Sequence, residues 1–464
     1  MMQKRYESLD ALRGLAILGM VLSGSIAFGN VLPAWMYHAQ VPPPNHIFHP
    51  ELPGITWVDL VFPFFLFSMG AAIPLSFENK LKDQPWYNTA WLIAKRGLLL
   101  CFFAIFIDHV KDYMYGSENN MVYLFGILGF VLLHVLLVKW PFAINNKISV
   151  GLKLSSLIIA AIMLWQFHFK DGSGFKITRM DIIIVVLANM AVFASIIWII
   201  TKYNPIHRLL VLPVVMGIFL SNTNNISWQH ELYNFTPING LYSFYYLKYL
   251  FIVIPGTIAG EWLQAYSRET EKNNTSDKNK IILLALLLVS IIVVNLIGLF
   301  QRYLFVNLIG SIILIVVIVS INRKLNNVNN ASNYFIQAGS YLLLLGLIFE
   351  AYEGGIKKDH STYSYYFVTS GLAFLLLYAF IVLESKELLK VPINFLANIG
   401  KNPMVAYVSG SLLITPILHL SGLNYYFNLL NANAFCGFLK GIIYTGLVAL
   451  ITLFFVKKKY FWKT

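Results

Sequence analysis

Residues 56–77 read TWVDLVFPFFLFSMGAAIPLSF, an apolar run in which Asp59 is the only charged residue. A helix needs about 20 mainly apolar residues to cross a bilayer, so this stretch predicts a membrane-spanning helix. A carboxylate in such a helix usually faces the interior of a helix bundle or a cavity, because a bare charge in hydrocarbon is costly. The stretch therefore predicts a membrane protein and an Asp59 with a specific partner.

The composition of the whole chain supports this prediction. Of its 464 residues, 58% are hydrophobic and only 12% are charged, whereas a soluble domain carries about 25% charged residues. The mean hydropathy is +0.67. The formal net charge is +13, but the basic residues lie in short loops between apolar runs, which favours membrane topology over nucleic-acid binding. Cys101 and Cys436 both lie in apolar runs, so neither a disulfide framework nor a metal site is expected.

Outward from residues 56–77, the hydropathy pattern predicts a polytopic all-α bundle of about 11–14 transmembrane helices. We interpret residues 1–464 as a single transmembrane domain. The fourteen candidate spans are 8–29, 56–77, 91–110, 121–138, 148–167, 181–200, 205–221, 244–266, 281–299, 302–322, 334–352, 366–384, 396–420 and 437–456.

The distribution of basic residues predicts the orientation of this bundle. With the N-terminus in the cytoplasm, 22 Lys and Arg residues fall on the cytoplasmic side and 7 on the opposite side, as the positive-inside rule requires. Both termini are then cytoplasmic. Internal repeats are not evident, which weakly disfavours transporters built from inverted repeats.

The segment His49–Pro63, HPELPGITWVDLVFP, carries the most informative polar residues. A histidine acts as a nucleophile or general base near neutral pH, and a nearby carboxylate orients it. This predicts a pair formed by His49, on the non-cytoplasmic side, and Asp59. The alternative is a solvated His49 and an Asp59 that stabilises the N-terminus of its helix.

Two further polar motifs lie at predicted cytoplasmic helix ends. In SLDALRG, Asp10 and Arg13 share a helix face, either as a local ion pair or as an anchor for a phosphate. In IGKNPMVAY, Gly400 and Pro403 predict a break in a helix. Such a break marks either a polar site or a simple helix entry.

These motifs resemble the heparan-alpha-glucosaminide N-acetyltransferase family, and more closely its bacterial inner-membrane relatives, the DUF5009 group, which is associated with amino-sugar use. Ser8, Asp10, Arg13 and Gly14 match the family pattern in the first helix, and KNPMVAYV resembles its C-terminal motif. The match in the second segment comprises His49, Gly54, Asp59, Leu60, Val61, Phe62, Pro63, Phe65, Phe67 and Gly70.

The resemblance implies transfer of an acetyl group from cytoplasmic acetyl-CoA to a glucosamine-type acceptor on the far side of the membrane. His49 would be the acetyl acceptor or general base, and Asp59 would hold its imidazole. Four features depart from the family. Gly24 replaces an asparagine associated with the acetyl group, Leu52 replaces a tryptophan, and Gly410 replaces a histidine. The sequence YLFGILG at Tyr123–Gly129 replaces a leucine-glutamine-arginine motif.

We therefore expect a multi-pass inner-membrane acetyltransferase in contact with lipid and an amino sugar or glycan, with a homodimer expected by analogy. A sugar transporter and an O-acetyltransferase of envelope polysaccharide are the alternatives. Glu51 is the candidate for binding the ammonium of the acceptor. The candidates for binding acetyl-CoA are Arg13, Lys95, Arg96, Lys401 and Asn402.

Overall fold

The computed structural model describes residues 5–78, 85–111, 120–140, 145–166, 168–221, 227–270, 278–325, 330–384 and 387–463. These residues are mainly helical, and the sheet among them has two short strands. The helices are α1 (Glu7–Ser25), α2 (Trp57–Phe77), α3 (Trp86–Val110), α4 (Asn120–Leu137), α5 (Asn146–Gln166), α6 (Ile182–Ile200), α7 (Pro205–Ser221), α8 (Trp228–Asn234), α9 (Leu250–Thr270), α10 (Lys278–Phe300), α11 (Leu304–Lys324), α12 (Asn330–Tyr352), α13 (Tyr363–Glu384), α14 (Glu387–Gly400), α15 (Pro403–Ser409), α16 (Thr415–Leu420), α17 (Leu423–Leu429) and α18 (Ala434–Lys457).

The predicted membrane-spanning bundle is confirmed. Among the described residues, 12 helices are long and apolar enough to cross a membrane. Two of the fourteen predicted spans are not in this set. Residues 205–221 form the 17-residue helix α7, which is short for a span. Residues 244–266 divide between a 3₁₀ turn (Phe244–Tyr249) and α9.

The predicted helix break at Gly400–Pro403 is also present. α14 ends at Gly400, and α15 begins at Pro403. From there α15 continues through a π-helical turn (Gly410–Ile414) into α16. Proline lacks a backbone N–H and is tolerated in the first turn of a helix, so Pro403 fits the start of α15.

The chain, interpreted from sequence as one domain, divides into two compact units. Unit 1 comprises Met1–Asn79, Phe251–Gly400 and Asn433–Phe438. Unit 2 comprises Lys80–Leu250, Lys401–Ala432 and Leu439–Thr464.

α13 lies at the centre of unit 1. Of its most apolar stretch, 89% is buried, and it packs against α1, α2, α10 and α12. The tightest helix contact in the unit lies between α1 and α14. A Cβ at Gly14 would meet the carbonyl oxygen of Leu396, and a Cβ at Gly400 would meet that of Asp10. Glycine at both positions therefore lets the two backbones touch.

In unit 2, α3 packs against α6, and α4 packs against α5 and α16. The two strands, β1 (Val138–Lys139) and β2 (Phe461–Trp462), pair antiparallel. β2 places the C-terminal residues of the chain against the end of α4.

Candidate active site

The first turn of α2 positions the carboxylate of Asp59. Thr56 caps the helix: its side chain accepts a hydrogen bond from the Val58 N–H, and its own N–H donates to Asp59 Oδ2 at 2.9 Å. This reciprocal capping box satisfies backbone donors that the helix itself leaves unpaired. Oδ2 also accepts a hydrogen bond from the Ala39 N–H at 3.2 Å. The Thr56 hydroxyl lies 3.3 Å from the same oxygen and is a third donor to it. The Asp59 side chain is 2% exposed.

The other carboxylate oxygen of Asp59 holds a histidine. His38 Nδ1 lies 2.7 Å from Asp59 Oδ1. An ionised carboxylate accepts hydrogen bonds and does not donate them, so Nδ1 carries a proton. In the neutral imidazole, the lone pair is then on Nε2. The His38 side chain is 39% exposed, in contrast to the buried aspartate. The geometry gives an oriented imidazole on a partly exposed side chain.

Buried neighbours hold the segment that carries His38. Tyr37 is buried, and its hydroxyl donates to the Ala27 carbonyl at 2.5 Å. Burial raises the pKa of the Tyr37 hydroxyl, so this donor keeps its proton. Tyr37 also packs in an apolar cluster with Ile26, Leu32 and Met36.

A loop between α12 and α13 brings a cation to the imidazole. Lys358 Nζ lies 3.2 Å from His38 Nδ1 and 3.4 Å from Nε2. The Gln40 side chain holds this loop: its Oε1 accepts from the Asp359 N–H at 2.8 Å, and its Nε2 donates to the Asp359 carbonyl. The Gly54 N–H donates to the Ile356 carbonyl at 2.7 Å. The loop is therefore joined to both ends of the segment 40–54.

An ion pair between a buried glutamate and a partly exposed arginine also contacts this loop. The Glu350 carboxylate, 3% exposed, is paired with the Arg302 guanidinium. It also accepts a hydrogen bond from the Ile356 N–H at 3.3 Å. A buried carboxylate charge needs a paired cation and additional hydrogen bonds to be tolerated. The pair therefore fixes the backbone two residues before Lys358.

The predicted pairing of His49 with Asp59 is wrong. The imidazole on Asp59 belongs to His38, while the His49 side chain is exposed and its backbone N–H donates to the Gln40 carbonyl at 2.8 Å. The physical reason is that His38, two backbone N–H groups and the Thr56 hydroxyl already occupy the oxygens of Asp59. Glu51, predicted to bind the acceptor, is likewise exposed.

The predicted phosphate anchor Arg13 serves as a cross-link in unit 1. Its Nη1 donates to Asp10 Oδ1 at 3.1 Å and to the Gly400 carbonyl at 3.4 Å. Its Nη2 donates to the Ser68 carbonyl at 3.3 Å. These contacts join α1, α14 and α2, and they support the local ion pair over the phosphate anchor.

The other predicted acetyl-CoA residues lie in unit 2. Lys95 is exposed on α3, while Arg96 and Lys401 are half-buried. Asn402 is fully buried, and its amide holds the C-terminal strand: Nδ2 donates to the Tyr460 carbonyl at 2.9 Å, and Oδ1 accepts from the Trp462 N–H at 3.1 Å. The polar atoms of Asn402 are thus used within the protein.

Tyr407, from the C-terminal motif, has a partner that the sequence did not suggest. Its hydroxyl contacts both carboxylate oxygens of Asp181, at 3.0 and 2.9 Å. Lys111 Nζ lies 2.9 Å from the same carboxylate. Asp181 also caps α6 by accepting from the Ile184 N–H. In unit 2, Tyr407 therefore adds a hydrogen bond to the Lys111–Asp181 ion pair, whose carboxylate also caps α6.

Together these features define a polytopic α-helical membrane protein with a carboxylate-held histidine at the end of a spanning helix. The chain belongs to the DUF5009 family, whose model, described as a domain of unknown function, matches residues 5–263. This confirms the expected relationship to that group. None of the curated proteins matches the chain. The matched region includes His38 and Asp59, whereas Lys358 lies beyond it.

Proposed function

We propose that this protein is a membrane acetyltransferase that moves an acetyl group from acetyl-CoA to the amine of an amino sugar. The observation that carries the proposal is the His38–Asp59 contact of 2.7 Å, with a buried carboxylate and a partly exposed imidazole. A carboxylate that fixes the tautomer and orientation of a histidine is the arrangement that acyl transfer uses repeatedly on unrelated folds.

The chemistry assigned to His38 uses the lone pair on Nε2. In the covalent route, Nε2 attacks the thioester carbonyl carbon, the C–S bond breaks, and CoA leaves as a thiolate that takes up a proton. The acceptor amine then attacks the acetyl-imidazole, the C–N bond to the imidazole breaks, and the amine loses a proton. In the direct route, the amine attacks the thioester carbonyl carbon while Nε2 takes its proton. The C–S bond then breaks, and the CoA thiolate takes up that proton. Both routes yield an amide and the free thiol.

The sequence-based assignments complete the proposal with one change. His38 takes the catalytic role first given to His49, and Asp59 keeps the role of holding the imidazole. The assignments of Lys95, Arg96 and Lys401 to the CoA phosphates, and of Glu51 to the acceptor ammonium, stay predictions. The basic-residue distribution supports a non-cytoplasmic position for the loop that carries His38, and we propose that the acceptor binds there.

The test is acetyl transfer from radiolabelled acetyl-CoA to glucosamine by the purified full-length protein in detergent. We expect His38→Ala to abolish labelled N-acetylglucosamine, because the attacking nitrogen is removed. His49→Ala is the matched control, since it removes an exposed histidine of the same loop. Wild-type activity in His38→Ala would refute a catalytic role for His38.

Product analysis separates this proposal from its two alternatives. Base-labile label on a polysaccharide hydroxyl would indicate O-acetyl transfer. Movement of unmodified glucosamine across a bilayer without acetyl-CoA would indicate a transporter. A base-stable amide on glucosamine is the result that the proposal requires.

A further inference from the structure

We propose that Lys358 is a catalytic residue that stabilises the negatively charged oxygen formed during acetyl transfer at His38. This inference rests on the proposed function, and it deepens it by assigning a role to the cation that lies beside His38.

The position of the Lys358 ammonium suits a cation that stabilises negative charge on an acyl group bound at His38. Nζ is nearly equidistant from the two ring nitrogens of His38, at 3.2 and 3.4 Å. The lone pair of Nε2 points away from the ring in the ring plane, so an ammonium at this position does not lie in line with it. Nε2 therefore keeps its lone pair for attack, with a positive charge beside it.

Simple geometry then places the acyl oxygen within reach of Lys358. An oxygen on the attacked carbonyl carbon lies two bonds from Nε2, at about 2.4 Å. A donor that stabilises an oxyanion lies about 2.7–3.1 Å from it. Because Nζ and Nε2 are 3.4 Å apart, one oxygen position satisfies both distances.

The surrounding contacts hold Lys358 where this role requires it. Its loop is fixed by the two Gln40 hydrogen bonds to Asp359 and by the contact of Ile356 with Gly54. A donor that is placed before the reaction needs little reorganisation as charge develops, which is what makes an oxyanion hole effective. The Asp59 carboxylate, held on Nδ1, offsets the positive charge that gathers on the imidazole.

The experiment compares Lys358→Met with Lys357→Met in the full-length protein, using the acetyl-transfer assay and thermal denaturation in detergent. Loss of one oxyanion donor lowers kcat by about 10²–10³-fold. We expect that loss in Lys358→Met, with the KM for acetyl-CoA within twofold of wild type, because Lys358 acts on the transition state. Lys357→Met removes the neighbouring charge and is expected to retain wild-type kcat.

The outcomes separate the inference from the proposed function. If Lys358→Met keeps wild-type kcat while His38→Ala is inactive, the inference is overturned and the proposed function stands. If His38→Ala keeps full activity, both fall. Should Lys358→Met fail to fold, Lys358→Arg and Lys358→Gln decide: at least tenfold higher kcat in the arginine variant supports the inference, and equal kcat in the two variants overturns it.

Discussion

Replacement of Asp59 by asparagine tests the logic of the site most sharply, because the two oxygens of this carboxylate have different partners. Oδ2 accepts from the Thr56 and Ala39 N–H groups, and Oδ1 contacts His38. An asparagine keeps both backbone contacts only if its carbonyl oxygen takes the Oδ2 position. Its NH₂ group then faces His38, whose Nδ1 must become the acceptor, and the ring proton moves to Nε2.

Asp59→Asn is therefore expected to fold nearly as wild type and to lose activity. A protonated Nε2 has no lone pair to attack a thioester or take a proton. A tautomer change of this kind lowers kcat by about 10⁴-fold in the serine-protease triad, which corresponds to about 5.4 kcal/mol of activation free energy. The loss of folding stability should be about 1 kcal/mol, because the capping contacts persist. The assays are initial rates with labelled acetyl-CoA and the Tm in detergent.

The matched variant is Asp59→Ala, which removes the capping contacts as well as the contact to His38. It should lose a similar amount of activity and, in addition, show a lower Tm than Asp59→Asn. Wild-type kcat in Asp59→Asn would refute the assignment of the Nε2 lone pair to the reaction. An equal fall of Tm in both variants would refute the assignment of the amide oxygen to the cap.

Three further changes follow from the same structure. His49→Ala should leave kcat within about twofold of wild type, because an exposed side chain contributes little; a loss above tenfold would contradict the exchange of His49 for His38. Gly14→Ala should lower the free energy of unfolding by about 1–3 kcal/mol, because its Cβ meets the backbone of α14. The matched Gly24→Ala should change the free energy of unfolding by no more than about 0.5 kcal/mol. Thermal denaturation compares the two variants. Asn402→Ala removes two hydrogen bonds to the C-terminal segment. Amide hydrogen exchange in that segment should become faster, while the Kd for acetyl-CoA stays unchanged. A higher Kd for acetyl-CoA would support the earlier assignment of Asn402 to cofactor binding.

The helices could be predicted from sequence because apolar length is a property of each segment alone. The span predicted at residues 56–77 is α2, Trp57–Phe77, and the span at 181–200 is α6, Ile182–Ile200. The signal fails at residues 244–266, where apolar composition does not distinguish a 3₁₀ turn from the start of α9. The grouping of helices into two units depends on contacts between distant segments, and hydropathy does not report these.

Half of the candidate site was visible in the sequence. Asp59 stood out because a lone carboxylate in an apolar run needs a partner. The choice of His49 as that partner relied on spacing along the chain. The structure instead turns the segment after Tyr37 back onto α2, where the Ala39 N–H and His38 both reach the carboxylate. The contact with the Ala39 backbone has no counterpart in the pattern of side chains, so that pattern does not favour His38 over His49.

Lys358 was beyond the reach of sequence reasoning for a related cause. It lies 320 residues after His38, and its position depends on backbone contacts such as that of Gly54 with Ile356. In the sequence it counted only as one of the few basic residues on the predicted non-cytoplasmic side. A positive charge on that side is unusual under the positive-inside rule, and this is the feature of the sequence that points to a specific role for Lys358.

Sealed proteoliposomes containing the wild-type protein test the central claim most directly, with labelled glucosamine on one side and acetyl-CoA on the other. The account predicts that the glucosamine becomes N-acetylglucosamine only when acetyl-CoA is supplied, and that His38→Ala abolishes the product while His49→Ala does not. Accumulation of unmodified glucosamine inside the vesicles without acetyl-CoA, together with no acetylated product under any condition, would contradict it.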